Sequence, residues 1–542
     1  SEQPFRLAVV FTTFCGLYFV VSRYLAQYFL VRHGRGRENV IIYGAGEAGA
    51  RVANAMHGSD THTVVAFIDD NVKMQGTVIS GAHVYPRSHA ARLVAETNAK
   101  RILLAIPSVS RQERGQIISE LEPLNAHVQT IPDLTDLVVG RAKVDELREV
   151  GVDDLLGRDT VAPDGRLMRA RIAGKAVMVT GAGGSIGSEL CRQIIIQRPV
   201  RLILFEISEV ALYEIDKELR KLSDKFDLGC EIVAILGTVE NEGHVREVML
   251  SFGIDTLYHA AAYKHVPVVE RNMLAGVDNN IFGTLATARA AVDAKVETFV
   301  LVSTDKAVSP PNIMGATKRF AELVLQGMQD EHPDITFCMV RFGNVLESSG
   351  SVVPLFREQI KAGGPVTVTH PQIIRYFMTI PEAAQLVIQA GAMAEGGDVF
   401  VLDMGQPVRI LDLAERLIRL SGLSVRDLNN PDGDVEIEFT GLRPAEKLYE
   451  ELLIGDNATG TTHPRIMRAQ EEYVPMGSLQ ALLDELAESS RARDRFTARE
   501  VLKRVVHGYQ PTNGIDDLVW SRANLTPDIA ADNVIALPPK AS

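Results

Sequence analysis

The chain has 542 residues, of which 46% are apolar and 23% charged, so it is long enough for about three or four domains with hydrophobic cores. Lysine and arginine together number 56, against 69 aspartates and glutamates, which gives a formal net charge of −13. This acidic balance argues against a general nucleic-acid-binding protein, because such proteins neutralise phosphates with clustered cations. The four cysteines are scattered without a CxxC pair, which argues against a metal cluster or a disulfide scaffold and favours a reduced compartment.

The first 37 residues differ from the rest and predict a membrane-associated segment. Residues 7–22 carry no charge, and a second apolar run, YLAQYFLV, follows Arg23. Together they form about 25 residues interrupted by one arginine, which is long enough to cross a hydrocarbon core of ~30 Å. Three arginines within residues 32–37 follow, and basic residues after a hydrophobic span favour the cytoplasmic side. We therefore expect residues 1–37 to form a transmembrane or membrane-associated helix with a basic flank, with a buried core helix as the alternative.

Residues 38–140 alternate between apolar strands and helical stretches, which predicts a small Rossmann-like domain. The strand NVIIY is followed by Gly44, Gly46 and Gly49 in GxGxxG spacing, and Asp69–Asp70 closes the next strand. In a dinucleotide-binding domain, an acid at that strand end holds a ribose. A lone GxGxxG is weak evidence, since the glycines also permit close packing of strand and helix. Whether this domain binds a ligand stays open.

The remaining domain boundaries follow from composition. Residues 141–170 are rich in charges, with only short apolar stretches, and are interpreted as a linker. Residues 171–520 return to alternating strands and helices and form the predicted catalytic domain, with a C-terminal part for substrate binding. Residues 521–542 show no sustained periodicity and end near two prolines, which predicts a mobile tail.

A second glycine turn, in KAVMVTGAGGSIGSEL, is clearer than the first. Gly181, Gly184 and Gly187 follow TGxxGxxG spacing between a strand and a helix start, so the backbone can approach a pyrophosphate at the helix N-terminus. Ser185 adds a hydroxyl donor. Glu206 ends the next strand, 25 residues after Gly181. A carboxylate there accepts hydrogen bonds from both ribose hydroxyls and repels a 2′-phosphate, which favours NAD over NADP.

The strands EIVAIL, DTLYHA, ETFVLVS and ITFCMVR continue this pattern and predict a mostly parallel, doubly wound α/β sheet. Ligands of such sheets bind beyond the carboxyl ends of the strands. That rule selects the segments 259–267, 303–308 and 341–345, of which the second places Ser303, Thr304, Asp305 and Lys306 in a row after a buried strand.

A set of motifs between residues of about 170 and 470 resembles one family. The chain is similar to the membrane-bound nucleotide-sugar 4,6-dehydratases of polysaccharide and glycan biosynthesis, within the extended short-chain dehydrogenase/reductase superfamily. The matching segments are TGAGGSIGSEL, HAAAYKHVP, STDKAV, MGATKRFAE, RFGNV, SGSVVPLF, RYFMTIPEAAQLV, FVLDMG and GLRPAEKLYEELL. The order of a membrane part, a first Rossmann-like domain and a catalytic domain also resembles the long members of that family.

The resemblance implies a redox-neutral dehydration of a UDP-N-acetylhexosamine, with UDP-N-acetylglucosamine as the expected substrate. Bound NAD takes a hydride from C4, which gives a 4-keto sugar and acidifies the C5 proton. A base then removes that proton while an acid helps the C6 hydroxyl to leave as water, and the hydride returns to C6. The cofactor supplies the redox chemistry, and the protein supplies geometry and proton transfer.

The resemblance also assigns catalytic roles. Lys306 is the expected base at C5, Asp305 the acid toward the C6 hydroxyl, Thr304 a hydrogen-bond partner near C4, and Lys318 a contact of the nicotinamide ribose. Met314 stands where the wider superfamily has the tyrosine of YxxxK, but the long dehydratases that this chain resembles also have methionine there. The roles require a lowered pKa at Lys306 and a raised pKa at Asp305, whereas a close ion pair would favour both charged forms.

Binding residues are implied by the same motifs. The two arginines of RYFMT and GLRPAEK suit diphosphate oxygens, because a guanidinium presents paired donors. The expected cofactor contacts are Gly181, Gly184, Ser185, Ile186, Gly187, Glu206, Ala260, Ala261 and Lys318. The expected substrate contacts are Lys264, His265, Asn344, Arg375, Arg409, Arg443 and Glu446, although a histidine such as His265 is as easily structural.

Three functions therefore compete. The leading one is an NAD-dependent 4,6-dehydratase at the bacterial inner membrane, with its catalytic domains in the cytoplasm. An enzymatic alternative is a C5-inverting 4,6-dehydratase or a nucleotide-sugar epimerase on the same fold, and a non-enzymatic one is a nucleotide-sugar sensor that binds without turnover. Helices flanking such sheets often pair two protomers, which predicts a homodimer or a larger oligomer.

Overall fold

The computed structural model describes Tyr18 and residues 21–23, 37–57, 61–131, 148–151, 154, 161–346, 348, 350–443, 446–451, 458–511 and 514–524. Nearly all of the predicted membrane segment and most of the predicted tail lie outside these residues. None of the helices within them is both long and apolar enough to span a bilayer.

Contacts along the chain divide it into two compact units. The first comprises Ser1–Asp159, Ala362–Pro365 and Glu415–Ile437, and the second Thr160–Lys361, Val366–Ala414 and Glu438–Ser542. Residues 415–437 thus group with the first unit, although the sequence places them in the predicted catalytic domain. Ion pairs contribute to this grouping, because Arg416 and Arg419 contact the Glu122 carboxylate at 3.1 and 3.0 Å.

The first unit contains a seven-stranded sheet within the described residues, in the order β3–β4–β2–β1–β5–β6–β7. Its strands are β1 Glu38–Tyr43, β2 His62–Ile68, β3 Val78–Ile79, β4 Ala82–Tyr85, β5 Arg101–Leu104, β6 His127–Thr130 and β7 Arg148–Glu149. Its helices are α1 Glu47–Met56, α2 Ala90–Thr97 and α3 Arg111–Leu121, with short 3₁₀ turns at Arg87–His89 and Glu122–Leu124. Strand β7 lies within the segment that the sequence analysis interprets as a linker.

The predicted parallel Rossmann-like arrangement of the first unit is confirmed. Strands β4, β2, β1, β5 and β6 pair in parallel, and the edge strands β3 and β7 pair antiparallel. Gly44 has a φ of +108°, and a side chain there would lie 2.5 Å from the Ala105 carbonyl oxygen. A side chain at Gly49 would overlap the Gly44 carbonyl oxygen. Gly44 is thus packed against the segment after β5, and Gly49, in α1, is packed against the turn, so close packing accounts for these two glycines.

The rest of the chain supplies the remaining elements. The strands are β8 Ala176–Thr180, β9 Arg201–Glu206, β10 Glu231–Leu236, β11 Thr256–His259, β12 Thr298–Val302, β13 Thr336–Arg341, β14 Asn344–Val345, β15 Val366–Val368, β16 Ile374–Arg375, β17 Phe377–Met378, β18 Asp398–Leu402, β19 Val408–Arg409, β20 Val425–Arg426, β21 Val435–Phe439, β22 Ala458–Gly460 and β23 Ile466–Ala469.

The helices after α3 are α4 Gly165–Ala170, α5 Ser185–Ile196, α6 Glu209–Phe226, α7 Glu242–Phe252, α8 Val266–Arg271, α9 Met273–Val277, α10 Gly283–Asp293, α11 Ile313–Glu331, α12 Val352–Lys361, α13 Ile380–Met393, α14 Ile410–Leu420, α15 Met476–Arg491, α16 Arg495–Val505 and α17 Leu518–Asn524. A π-helical turn at Asp278–Phe282 joins α9 to α10, and Asp305–Ala307 forms a 3₁₀ turn.

The second unit is built on a nine-stranded sheet within the described residues, in the order β10–β9–β8–β11–β12–β13–β18–β23–β22. The strands from β10 to β18 pair in parallel, and β23 and β22 add an antiparallel edge. Strand β8 is buried at every position, as is typical of parallel strands covered on both faces. The predicted doubly wound sheet is confirmed for this unit.

Helix α11 is the most buried helix beside this sheet among those described. Asn312 caps it by accepting a hydrogen bond from the Gly315 N–H at 2.8 Å, and every residue from Ile313 to Met328 is buried. Helices α15 and α16 of the same chain pack against it. The helix that begins at MGATKRFAE therefore has its outer face covered within the chain, and the expected homodimer stays a prediction.

Candidate active site

A cleft of about 990 Å³ lies in the second unit, at the carboxyl ends of its parallel strands. All three segments that the sequence places at this edge contribute to its lining. The predicted residues that line it are Gly184, Ser185, Ile186, Gly187, Ala260, Lys264, His265, Thr304, Asp305, Lys306, Met314, Lys318, Asn344, Arg375, Arg443 and Glu446. The predicted residues outside the lining are Gly181, Glu206, Ala261 and Arg409.

The glycine turn between β8 and α5 forms one end of the cleft. Gly181 has a φ of +64°, and a side chain there would lie 2.8 Å from the Ala261 nitrogen, while one at Gly187 would overlap the Gly181 carbonyl oxygen. The N-cap of α5 is Gly184, which has no side chain with which to accept the first helical N–H groups. The start of α5 therefore offers backbone donors to an anion in the cleft. Gly181 and Ala261 do not line the cleft; they pack against each other behind its lining.

Glu206 holds this turn from behind. Its carboxylate accepts the Gly183 N–H at 2.9 Å and the Ile207 and Ser208 N–H groups at 3.0 Å each. The side chain thus orders both the glycine turn and the segment after β9. The predicted ribose contact stays a prediction.

Thr304, Asp305 and Lys306 form a compact cluster after β12. Thr304 Oγ1 donates to Asp305 Oδ1 at 2.9 Å and accepts the Lys306 N–H at 3.3 Å, which caps the 3₁₀ turn. Lys306 Nζ lies 3.1 Å from the same Asp305 oxygen. The other carboxylate oxygen, Asp305 Oδ2, is buried and makes no hydrogen bond within the described residues. The cluster thus joins a hydroxyl, a carboxyl and an amine in direct contact.

Glu450 completes the surroundings of Lys306 and is a residue that the sequence analysis missed. Lys306 Nζ lies 2.9 Å from Glu450 Oε1 and donates to Asn344 Oδ1 at 3.1 Å. Burial lowers the pKa of Lys306, but its attraction to Asp305 and Glu450 outweighs burial and leaves the pKa above its ordinary value. The sequence left two alternatives: a lowered pKa at Lys306, or a close ion pair that favours the charged forms of Lys306 and Asp305. The structure shows the ion pair. The signal for Glu450 was present, since it lies in the GLRPAEKLYEELL motif.

Lys318 and Met314 lie on α11 and face the same cleft. Burial lowers the pKa of Lys318 to about 8, with Glu322 opposing that shift. Lys318 Nζ donates to the Val302 carbonyl oxygen at 2.8 Å, which fixes the amine at the end of β12. Met314 is buried and presents a thioether that cannot accept or donate a proton in the neutral pH range.

The predicted anion-binding residues separate into two groups. Arg375 Nη2 lies 3.1 Å from Glu446 Oε1 and its Nε lies 3.2 Å from Glu450 Oε1, so two carboxylates orient its guanidinium in the cleft. Arg443 also lines the cleft, and its backbone N–H donates to Glu446 at 3.1 Å. Arg409 does not reach the lining. It is exposed on β19, beside Asp412, although β19 pairs directly with the strand of Arg375.

Lys264 and His265 lie on an exposed stretch of the cleft wall before α8. Burial lowers the pKa of Lys264, and burial together with the Lys264 charge lowers the pKa of His265. The His265 ring packs against Gly350, where a side chain would lie 2.7 Å from Cε1. This pair adds positive charge to the cleft at neutral pH through Lys264.

A buried ion network behind the cleft was also missed from the sequence. Arg341, at the end of β13, donates to Glu322 of α11 at 2.8 Å and to Glu471 Oε2 at 2.8 Å. Arg319 Nη1 lies within 3.1 Å of both carboxylates, and Ser303 donates to Glu322 at 2.6 Å. The network fixes the strand end beside Thr304 relative to α11. No local sequence pattern predicts the network, because Glu322, Arg341 and Glu471 lie far apart in the chain.

Known proteins show where this fold and site belong. The profile of the family described as "Polysaccharide biosynthesis protein" matches residues 177–471. The capsular polysaccharide biosynthesis protein CapD of Staphylococcus aureus is 42% identical over 462 residues, which cover 84% of this chain and 75% of that protein. The probable polysaccharide biosynthesis protein EpsC of Bacillus subtilis is 43% identical over 416 residues, which cover 76% of this chain and 68% of that protein. A UDP-glucose 4-epimerase of Rickettsia massiliae is 32% identical over 285 residues, covering 52% and 77%.

The family match covers the glycine turn, the Thr304–Lys306 cluster and the Glu446–Glu450 segment within one continuous stretch. The two relatives named for polysaccharide biosynthesis also extend beyond it, over most of the chain. The chain therefore belongs to the polysaccharide biosynthesis protein family.

Proposed function

We propose that the chain is an NAD-dependent 4,6-dehydratase that converts UDP-N-acetylglucosamine into its 4-keto-6-deoxy sugar for polysaccharide biosynthesis. The observation that carries this proposal is the contact of Thr304, Asp305 and Lys306 in a cleft that also contains the glycine turn. Dehydration at C5 and C6 needs an acid and a base side by side, and this cluster supplies both types of group. Membership of the polysaccharide biosynthesis family supports the role of the product.

The residues around the glycine turn fit a dinucleotide. No side chain occupies the approach at Gly184 or Gly187, the start of α5 offers backbone donors, and the Glu206 carboxylate lies at the end of β9. Gly184, Ser185, Ile186 and Gly187 would hold the pyrophosphate, and Lys318 the nicotinamide ribose. NAD bound there would supply an acceptor and donor of hydride for the sugar.

The cluster provides a route for the proton of the C4 hydroxyl. Met314 cannot accept it, but Thr304 is hydrogen-bonded to Asp305 at 2.9 Å. We expect the proton to pass through the Thr304 hydroxyl to the Asp305 carboxylate. Asp305 then gives this proton to the C6 hydroxyl, which leaves as water. The unpaired, buried Oδ2 of Asp305 suits a carboxyl that is protonated for part of the cycle.

Lys306 is the proposed base that removes the C5 proton. A neutral Lys306 amine takes the proton from C5, and the resulting ammonium returns a proton to C5 once the C6 oxygen has left. Lys264, His265, Asn344, Arg375, Arg443 and Glu446 are the proposed substrate contacts that line the cleft. The guanidinium of Arg375 is oriented by two carboxylates, which favours a fixed contact to a diphosphate. Arg409 is the weakest of the predicted contacts, because it lies outside the lining.

The proposal is tested by product analysis of the 542-residue chain with UDP-N-acetylglucosamine and NAD in deuterated water. NMR and mass spectrometry of the sugar follow the reaction. We expect a new C6 methyl group, deuterium at C5 and no net NADH. The C5 configuration of the product separates retention from inversion. A Lys306→Ala variant should bind UDP but form no methyl group. Binding of the sugar nucleotide without any change in the sugar would favour the sensor and contradict the proposal.

A second candidate is a nucleotide-sugar 4-epimerase. It is favoured by the relative in Rickettsia massiliae named UDP-glucose 4-epimerase, which matches 52% of this chain. An epimerase changes the configuration at C4 and leaves the C6 hydroxyl in place, so the same NMR spectrum distinguishes the two. The Asp305–Lys306 pair favours the dehydratase, because epimerisation requires no acid at C6.

Attachment to a bacterial inner membrane through residues 7–31, with the catalytic part in the cytoplasm, is part of the proposed function. It is supported by the uncharged runs and the basic flank of the sequence.

A further inference from the structure

Glu450 contacts three of the groups around the proposed reaction centre. Its carboxylate oxygen Oε1 lies 2.9 Å from Lys306 Nζ and 3.2 Å from Arg375 Nε, and Oε2 accepts from Asn344 Nδ2 at 3.1 Å. The side chain is only 5% exposed. A carboxylate so buried is retained only where partners hold it, and here the partners include the residue proposed as the base.

The arrangement poses a problem for Lys306. Its Nζ has acceptors in Asp305, Asn344 and Glu450 at 2.9–3.1 Å, and two of these are carboxylates. An ammonium in that setting is stabilised, and an ammonium cannot remove a proton from carbon. The charged and titratable groups that face the pair are Asp305 and Arg375, with Glu446 on the far side of Arg375. Loss of a proton from Lys306 to water would remove one of the two cations that face the Glu450 carboxylate and leave only Arg375 beside it.

We propose that Glu450 is a positioning residue that acts through Lys306, by accepting one proton from its ammonium group. In this step an Nζ–H bond breaks and an Oε1–H bond forms, so the ion pair becomes a neutral amine beside a neutral carboxyl. The amine then takes the C5 proton while Asp305 protonates the leaving C6 oxygen. After C5 is reprotonated, Glu450 returns its proton to the amine, so the cycle needs no net proton from solvent, while the ammonium hydrogens themselves exchange with solvent and can carry deuterium to C5.

Two further features support this assignment. Burial and the nearby Asp305 charge keep the pKa of Glu450 above its ordinary value, against the attraction of Lys306 and Arg375. In addition, Glu450 Oε1 contacts both Lys306 and Arg375. The oxygen that would gain the proton is therefore held in place by the Arg375 guanidinium, which itself stays protonated. The inference rests on the proposed dehydratase function.

The test follows exchange of the C5 hydrogen, which isolates the base from the hydride steps. The 4-keto-6-deoxy product is incubated in deuterated water with the 542-residue wild-type chain or with Glu450→Gln, and loss of the C5–H signal is measured by NMR. In the wild type the proton transfer is internal, so the exchange rate should vary little between about pH 6 and pH 8. In Glu450→Gln, Lys306 must lose its proton to water, so exchange should be slow at neutral pH and rise about ten-fold per pH unit.

The matched control is Glu451→Gln, which removes the neighbouring carboxylate, 3.4 Å from Lys447 Nζ, but no contact of Lys306. We expect it to keep the wild-type pH profile, whatever its effect on KM. Titration of Lys318 occurs in every variant and cancels in the ratio of rates. UDP binding by calorimetry shows whether Glu450→Gln is folded.

Two outcomes would overturn the inference in different ways. If Glu450→Gln binds UDP and its exchange profile runs parallel to that of the wild type, Glu450 has a structural role only. If the wild type forms neither a C6 methyl group nor deuterated C5, the proposed function itself fails, and the inference fails with it.

Discussion

At the scale of single residues, the site depends on how two neighbours in the sequence come to face each other. Asp305 and Lys306 would point to opposite sides of an extended segment, but they lie in a 3₁₀ turn, where Thr304 accepts the Lys306 N–H. The turn lets Lys306 Nζ reach Asp305 at 3.1 Å. The hydroxyl that caps the turn is the one that donates to Asp305, so Thr304 both shapes the cluster and belongs to the proposed proton route.

Replacing Thr304 separates these two contributions. Thr304→Val removes the hydroxyl at nearly constant volume, and we expect kcat for dehydration to fall at least about 100-fold, because the C4 proton loses its route to Asp305. Loss of the cap should cost only about 1 kcal/mol of stability. Thr304→Ser is the control and should retain most activity. Steady-state kinetics check this, and a Thr304→Val enzyme within about three-fold of wild type would exclude the relay.

The sequence predicts the residues of this cluster better than it predicts their interactions. Thr304, Asp305 and Lys306 stand in one motif at a strand end, so a local pattern finds them. Glu450 lies 144 residues after Lys306, and the contact exists only because two distant segments meet in the cleft. Arg409 shows the opposite error, since the resemblance places it among the substrate contacts. Its strand does pair with that of Arg375, but its side chain lies beside Asp412 at the surface.

At the scale of elements, the glycine turn and helix α5 define the proposed cofactor site. The spacing of Gly181, Gly184 and Gly187 predicts the strand–turn–helix unit. The structure gives the physical reason for glycine at two of these positions, which is close contact with neighbouring backbone atoms. Gly181 lies against the backbone of Ala260 and Ala261, and Gly187 lies against the Gly181 carbonyl. Strand β8 and helix α5 therefore approach more closely than any side chain at these positions allows.

A methyl group at this contact should disturb the cofactor site selectively. Gly187→Ala would press a Cβ into the Gly181 carbonyl, and we expect at least a ten-fold loss of NAD affinity, with about 1–3 kcal/mol lost from the free energy of unfolding. Gly165→Ala in α4 is the matched control, because no atom lies within 4 Å of its added Cβ. Calorimetric NAD titration checks both variants. Equal NAD affinities for the two would show that the close approach is not required.

At the scale of the whole molecule, two units each contain a mainly parallel sheet and a separate apolar core. This much follows from the sequence, since alternation of strands and helices is a local signal. The grouping of residues 415–437 with the first unit does not follow, because it depends on contacts such as that of Arg416 with Glu122, far apart in the chain. The buried network of Arg341, Glu322 and Glu471 is equally invisible to local patterns.

That network should dominate the acid sensitivity of the second unit. Burial raises the pKa of Glu322, but Arg341, Arg319 and Ser303 outweigh it and lower the pKa to about 2. Because the folded pKa lies below the unfolded one, the stabilisation is complete above about pH 4.5 and is lost as pH falls toward 2. We expect Arg341→Met to lower the free energy of unfolding by about 3–5 kcal/mol at pH 7, and by less at pH 3.

Urea denaturation at both pH values measures this difference. Arg246→Met is the control, because Arg246 forms an exposed ion pair with Asp293 at 3.2 Å and should cost less than about 1 kcal/mol. A loss at pH 7 no larger for Arg341→Met than for Arg246→Met would mean that the buried network contributes little.

The central claim is that one sugar both gives and receives the hydride. The most direct test uses UDP-N-acetylglucosamine carrying deuterium at C4, incubated with the 542-residue chain and NAD in ordinary water. We predict a 4-keto product in which the deuterium has moved to the new C6 methyl group, visible as CH₂D by NMR and as a retained mass unit. Deuterium that stays at C4 beside an intact C6 hydroxyl, or that is lost from the sugar altogether, would contradict the account.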